Sequence, residues 1–181
     1  EQRRLALDLT NTGSWDWDFA TGAVCWSEQT YRLAGLMPGE VEPTYPFWRT
    51  LVHPEDLERL EAAVAFHLEQ RTFYEEEYRV VYPDGSVHWV LSKGHGIYDE
   101  TGQAVRMVGI TLDIHDRKLT EIALEESQRR YASLTRAAPV AIFWLDVDGQ
   151  CTYVNPRWSE MTGQPASAAR GTDWLQTIHP D

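Results

Sequence analysis

Cysteine is almost absent from this chain. Cys25 and Cys151 are the only two among 181 residues, too few for a disulfide framework and without the spacing of a zinc site. A reduced, cytoplasmic setting with structural cysteines is the expectation. Basic side chains are also scarce: 16 Lys and Arg stand against 28 Asp and Glu, a formal net charge of −12. A phosphate backbone is bound by a basic surface, so nucleic acid is excluded as a partner. No apolar run approaches the roughly 20 residues that span a bilayer, and no signal peptide opens the chain, so no membrane contact is expected of these residues. The chain begins at Glu1 without a methionine, as expected of a piece excised from a longer protein, and a membrane anchor can lie in that parent. Low-complexity tracts, a Gly-rich phosphate loop and a Ser/His/Asp set are all missing. No catalytic residue is assigned, and this fragment is not expected to be an enzyme, whatever its parent does.

What is present is one plan stated twice. Gln2-Arg3-Arg4-Leu5-Ala6 returns as Gln128-Arg129-Arg130-Tyr131-Ala132, and Trp48 and His53-Pro54 return as Trp174 and His179-Pro180, each 126 residues on. Gly22 answers to Gly149 and Gly35 to Gly163 at slightly larger offsets, so loops differ in length between the copies. The spacing is too long for a solenoid repeat and fits tandem domains of ordinary size. The second copy stops at Asp181, before a long helix and three strands, and is expected to be incomplete.

Hydrophobic periodicity predicts the elements. Residues 2–10 read as a short amphipathic helix. Trp15 and Trp17 alternate with Asp16 and Asp18 in a strand, and Thr21-Gly22 turns into a second strand carrying Val24 and Trp26. Ser27 suits the N-cap of a helix over 28–34, ended by Gly35. Met37 to Pro46 reads as a loop, Phe47 to Val52 as a helical turn, and His53-Pro54-Glu55-Asp56 as the start of a longer helix with Leu57, Leu60, Val64 and Leu68 on one face. Tyr78, Val80 and Tyr82 alternate in a strand; Pro83-Asp84-Gly85-Ser86 turns the chain; Val87, Trp89 and Leu91 alternate again; a last strand covers 105–112. Strands and helices grouped in this order make an α+β layout. From Asp116 to Ala138 the pattern is helical and polar, with Leu124, Ser127, Tyr131, Leu134 and Ala138 on one seam that Ser127 interrupts, and Glu125–Arg129 and Glu126–Arg130 as i,i+4 pairs. Strands over 141–145 and 151–154 and a short helix after Asn155-Pro156 restart the plan.

Seven stretches in this order carry a resemblance: Gly13-Ser14-Trp15-Asp16-Trp17-Asp18, Thr21-Gly22, Trp26-Ser27, Tyr31-Arg32-Leu33-Ala34-Gly35-Leu36, His53-Pro54-Glu55-Asp56, Pro83-Asp84-Gly85-Ser86 and Asp113-Ile114-His115-Asp116-Arg117-Lys118. Together they resemble the PAS domain with its C-terminal PAC motif, found in bacterial sensor proteins. The resemblance divides the chain into a PAS/PAC domain over 1–116, a helical, coiled-coil-like linker over 117–138, and the first part of a second PAS domain over 139–181. It implies a five-stranded antiparallel sheet of order 2-1-5-4-3 with helices on one face. It also implies a sensory and signal-relay role upstream of a histidine kinase or cyclic-dinucleotide effector, as in two-component signalling. Asp113, Ile114 and Arg117 match the signature that joins the last strand to the outgoing helix. His115 stands where the family has Thr or Ser.

Trp17, Trp26, Tyr31, Trp48, Tyr78, Trp89 and Ile110 are the candidates for lining a ligand pocket; the same aromatics can simply fill a small core. A haem needs an axial His in the pocket. His67 falls near the end of its helix, which argues against haem, and the flavin-thiol string Asn-Cys-Arg-Phe is absent. The cofactor is therefore unassigned. His88 and His95 lie seven residues apart without Cys or carboxylate at ligand spacing, so no metal site is expected. His115-Asp116 lacks the Pro of a phospho-accepting kinase helix. The expected partners are a second copy of the chain, paired through the linker and flanking helices, a downstream effector domain and a small-molecule ligand. A ligand-free dimerisation scaffold is the alternative.

Overall fold

The computed structural model describes residues 11–172, and the predicted helix over 2–10 and the repeat residues Trp174 and His179-Pro180 lie outside them. The chain divides into two compact units, 1–119 and 120–181.

In the first unit β1 (Thr12–Asp18) and β2 (Val24–Trp26) form a hairpin. Its turn is held by Asp18, whose Oδ1 accepts from the Thr21 backbone N–H and hydroxyl, each at 2.9 Å. Three helices follow: α1 (Glu28–Leu33), α2 (Tyr45–Leu51) and α3 (Pro54–Gln70). Each begins at a side chain that accepts a backbone N–H of the first turn: Ser27 from Thr30, Thr44 from Phe47, and His53 from Glu55. The loop expected over 37–46 is two residues shorter than its sequence suggests, because Pro46 sits within the first turn of α2, where its missing N–H costs nothing.

The chain then returns as β3 (Tyr74–Val81), β4 (Val87–Tyr98) and β5 (Ala104–Asp113), completing an antiparallel sheet of order β2-β1-β5-β4-β3. β3 starts four residues before the predicted Tyr78. Its Glu75-Glu76-Glu77 run has no apolar alternation to announce a strand, yet each carboxylate has a cation: Lys93, Arg59 and the pair Arg117/Lys118 in turn. Pairing Tyr78 with Val90 and Ser92 with Thr111 turns Val90, Ser92 and Gly94 toward the helices. Val87, Trp89 and Leu91, apolar and alternating, belong to the other face. Leu60 of α3, Val90 of β4 and Met107 of β5 are the largest fully buried apolar side chains among the described residues.

β3 is an edge strand whose free backbone groups are taken up by the start of α3. The His53 N–H donates to the Arg79 carbonyl at 2.9 Å, and Asp56 accepts the Arg79 N–H at 2.9 Å while gripping its guanidinium. The edge is thus closed against further strand pairing.

α4 (His115–Ala137) leaves β5 after one residue, Ile114. In the second unit, β6 (Phe143–Leu145) and β7 (Cys151–Val154) pair as a hairpin, followed by α5 (Pro156–Thr162) and a 3-10 turn over Ala166–Ala169. Fully buried Asn155 organises it. Its Oδ1 accepts from Ile142 and Trp158 N–H at 2.9 and 3.1 Å, and its Nδ2 donates to the Thr135 and Val140 carbonyls at 2.8 and 3.0 Å. All four of its hydrogen-bonding positions are filled. Asn155→Ala is expected to cost this unit about 2 kcal/mol, since it orphans buried backbone groups. Amide exchange should quicken over 141–158 while β3–β5 keep their protection; unchanged exchange at Ile142 would rule out that role.

Candidate functional site

A cavity of about 100 Å³ lies between the helix-facing side of the sheet and α1–α3. Trp26, Trp15 and Tyr74 line it and belong to one row that runs across all five strands in register, Trp26, Trp15, Gly109, Gly94 and Tyr74, with the two glycines beneath the Trp15 ring. The two glycines are what let the Trp15 indole lie flat across the sheet. A Cβ on Gly109 would come within 2.3 Å of Trp15 Cζ2, and one on Gly94 within 2.7 Å of Cη2. One wall is an aromatic stack in which Tyr45 lies parallel to Trp17, with ring centroids 4.3 Å apart, and next to Trp48 at 5.4 Å.

The polar groups are few and neutral. Trp48 Nε1 donates to the Tyr78 phenol oxygen at 3.4 Å, Tyr78 Oη lies 3.1 Å from Ser92 Oγ, and Ser92 Oγ lies 2.8 Å from Thr111 Oγ1. This hydroxyl chain crosses β3, β4 and β5. Burial pushes the Tyr78 phenol pKa up, against the lowering by its hydrogen bonds to Ser92 and Trp48. Burial likewise raises Tyr74, with smaller like-charge contributions. Tyr45 is pushed up to about 12 by burial and by its hydrogen bond to Glu61. All three phenols are therefore neutral at physiological pH, and no ionisable acid or base of ordinary pKa lines the cavity.

Of the sequence candidates, Trp17, Trp26, Trp48 and Tyr78 line this cavity. Tyr31 is buried beside it, edge-on to Trp26, with its hydroxyl donating to the Val41 carbonyl at 3.1 Å. Trp89 and Ile110 do not line it. Register turns both to the opposite face of the sheet, where Ile110 borders a shallow depression with Lys93 and His95 and Trp89 lies under the cations of Arg79 and Lys118, 5.6 and 5.3 Å from its ring centre. Trp15, Tyr45, Tyr74, Ser92, Met107 and Thr111 line the cavity without having been singled out in the sequence. Trp15 was legible, being two residues from Trp17 on the same face of a strand.

The three relay candidates meet at the start of α4. Asp113 Oδ1 accepts the His115 N–H at 2.8 Å, the Ile114 N–H donates to the Trp89 carbonyl at 3.1 Å, and the Ile114 side chain is buried. Arg117 and Lys118 both pair with Glu77 of β3, and these bonds, Lys118's first, hold the Glu77 carboxyl below its ordinary pKa. His115 adds a contact of its own, its Nδ1 accepting the Trp89 N–H at 3.4 Å.

A haem does not fit the donor set. No His lines the cavity, and His67 lies outside it with Nδ1 2.7 Å from the Thr72 hydroxyl. A flavin exceeds the volume, since pockets for molecules of that size run to about 300 Å³ or more, and no Cys lines the site. Among the described residues no three His, Cys, Asp or Glu side chains group as metal ligands, and no helix is long and apolar enough to cross a membrane.

Comparison with known proteins agrees with this architecture. Residues 23–111 match the PAS fold and residues 129–181 the PAS domain. A crystal structure of a sensory box histidine kinase/response regulator from Burkholderia thailandensis is 35% identical, with a TM-score of 0.66, over 74% of this chain and 100% of that one. The N-terminal domain of a diguanylate cyclase with PAS/PAC sensor from Marinobacter aquaeolei is 25% identical, TM-score 0.54, over 59% of this chain and 98% of that one. The probable diguanylate cyclase DgcE of Escherichia coli is 24% identical over 99% of this chain, which spans only 16% of that protein's length. The chain belongs to the PAS family, as a sensory module of the kind that multidomain sensor proteins carry.

Proposed function

We propose that the first unit senses a small molecule in the aromatic cavity and passes the event through β3, β4 and the start of α4 to an effector domain, a histidine kinase or a diguanylate cyclase. The alternation of β3 carries this reading. Tyr78 reaches the cavity's hydroxyl chain, while its two neighbours face the outgoing helix: Glu77 pairs with Arg117 and Lys118, and Arg79 shares the Trp89 ring with Lys118. A guest that moved Tyr78 would move both neighbours, because successive residues of one strand cannot shift independently. Asp113, capping the first turn of α4, would carry the same motion from β5. The guest must favour one arrangement over another, since equal affinity for both shifts nothing. In this reading the fragment binds and relays rather than catalyses, and works in the cytoplasm.

Glu77→Ala and Asp113→Ala, placed in the chain fused to a diguanylate cyclase output, should each leave the cavity intact and abolish the response of the output to an occupied cavity. A full response in both variants would end this reading. A second reading, a dimerisation scaffold, is favoured by the exposure of Leu119, Ile122, Leu124, Tyr131 and Leu134 along α4. Pairing of two such helices as a coiled-coil linker would cover these side chains. Sedimentation of the chain with Leu124→Glu and Leu134→Glu tests it: a dimer that survives both substitutions does not use this seam.

A further inference from the structure

Tyr74 is the group in the cavity that the fold does not account for. It keeps 3% of its surface, it lines the cavity, and no acceptor among the described residues takes its hydroxyl hydrogen. Tyr45, whose ring also lines the cavity, sends its hydroxyl out to Glu61 at 3.0 Å, and the Tyr31 hydroxyl reaches the Val41 carbonyl. Tyr74 has no such exit. A buried phenol left without an acceptor costs about 1–3 kcal/mol, so a fold that needed only packing here would be better served by phenylalanine.

The hydroxyl chain has the same surplus. Trp48, Tyr78, Ser92 and Thr111 bring four donor hydrogens to three links. The indole can only donate, which makes the Tyr78 oxygen its acceptor. The phenol, the most acidic hydroxyl of the three, then donates onward to Ser92, and Ser92 to Thr111. The hydrogen left over is that of Thr111 on β5, buried and facing the same space.

Two spare donors in a neutral, aromatic-walled cavity define what can occupy it. A charged guest is excluded, because no Asp, Glu, Lys, Arg or His lines the cavity to pair with it. A pure hydrocarbon would leave both donors unmet. A space of about 100 Å³ compares with the roughly 150 Å³ that admits benzene, which sets the guest at about four to six non-hydrogen atoms. We propose that the cavity takes a small, uncharged, largely apolar molecule bearing a hydrogen-bond acceptor such as a carbonyl oxygen, and that Tyr74 donates to that oxygen. This rests on the sensing reading for its site and names the chemical class of the guest.

Cyclopentanone and cyclopentane serve as a matched pair of probes, titrated into the whole chain and followed by the indole N–H resonances of Trp15, Trp17, Trp26 and Trp48. Tyr74→Phe should weaken cyclopentanone about tenfold, the worth of one hydrogen bond. Cyclopentane should stay within about twofold, and thermal stability should be equal or higher. Tyr98→Phe, whose hydroxyl donates to the Leu68 carbonyl at 2.8 Å away from the cavity, should leave both probes unchanged. If Tyr74→Phe weakens the two probes alike, or neither, Tyr74 is not the donor and the proposed class falls, while the cavity stands as a binding site. If neither probe perturbs the indole signals up to saturation, the proposed guest falls together with the cavity as the place of sensing.

Discussion

Replacement of Asp56 by alanine is expected to cost the first unit about 3 kcal/mol. Its carboxylate takes three bonds from one residue: the Arg79 backbone N–H and Nε at 2.9 Å, and a terminal guanidinium nitrogen at 2.8 Å. Neither side chain is more than about a quarter exposed, at 11% for Asp56 and 23% for Arg79. Removing one member of a buried pair costs about 3–5 kcal/mol. The lower end applies here because Glu55 still accepts from the same terminal guanidinium nitrogen at 2.9 Å. The loss should reach beyond the pair, since the same carboxylate ties the free edge of β3 to the first turn of α3, in which Asp56 sits. Hydrogen exchange resolved over residues 74–81 is the appropriate measure, because the chain has two units and a single global transition is not assured. Protection of the Arg79 amide that survives Asp56→Ala would refute the assignment.

The same pair sets a direction for pH. Hydrogen bonding from Arg79, opposed in part by desolvation, lowers the Asp56 pKa below its ordinary value. A carboxyl whose pKa falls on folding contributes stability that is whole above its unfolded value, near 4. That contribution is lost as pH drops from there through the lowered folded value. The first unit should therefore lose stability below about pH 4, with a shallower loss in Asp56→Asn, which cannot titrate.

How much of this was legible in the chain depends on which physical question each residue poses. Period-two alternation revealed β1, β2 and β4, while the cap residue Ser27 and the first-turn residues Pro54, Glu55 and Asp56 marked their helices, because both signals are local. Trp89 shows the limit of that reading. Val87, Trp89 and Leu91 form an apolar stripe as regular as any in the sequence, but alternation cannot say which side the helices will cover. That is decided by partners far away: Tyr78 opposite Val90, and Thr111 opposite Ser92. The buried face of β4 is consequently Val90, Ser92 and Gly94, one hydrophobe among three residues, and Trp89 is left to the cations. Tyr74 was hidden for a different reason. It precedes three glutamates that mask the strand, and only the spatial positions of Arg59, Lys93, Arg117 and Lys118 reveal why that strand can carry them. The aromatic site residues were thus partly readable, whereas the polar Ser92 and Thr111, and the two glycines beneath Trp15, gave no signal without register.

Those glycines set the second large effect. Gly109→Ala is expected to destabilise the first unit by about 3 kcal/mol, at the upper end of what overpacking usually costs. The added methyl would lie 2.3 Å from the Lys93 carbonyl oxygen and 2.3 Å from the Trp15 ring, and neither can yield cheaply. The carbonyl is fixed in the sheet, and the indole lies across Gly94 as well as Gly109, with Cη2 2.7 Å from the place of a Cβ on Gly94. Gly22→Ala provides the contrast. Gly22 has φ +70° and nothing within 4 Å of an added methyl, so it should lose only the roughly 1–2 kcal/mol of left-handed strain. The two obstacles at Gly109 can then be separated by a double-mutant cycle. Trp15→Leu removes the ring and leaves the carbonyl where it is, so Gly109→Ala in that background should recover about 1 kcal/mol of the loss but not all of it. No recovery would show that the sheet backbone alone excludes a side chain at Gly109, and that Trp15 takes its place on the cavity floor for reasons other than the missing Cβ.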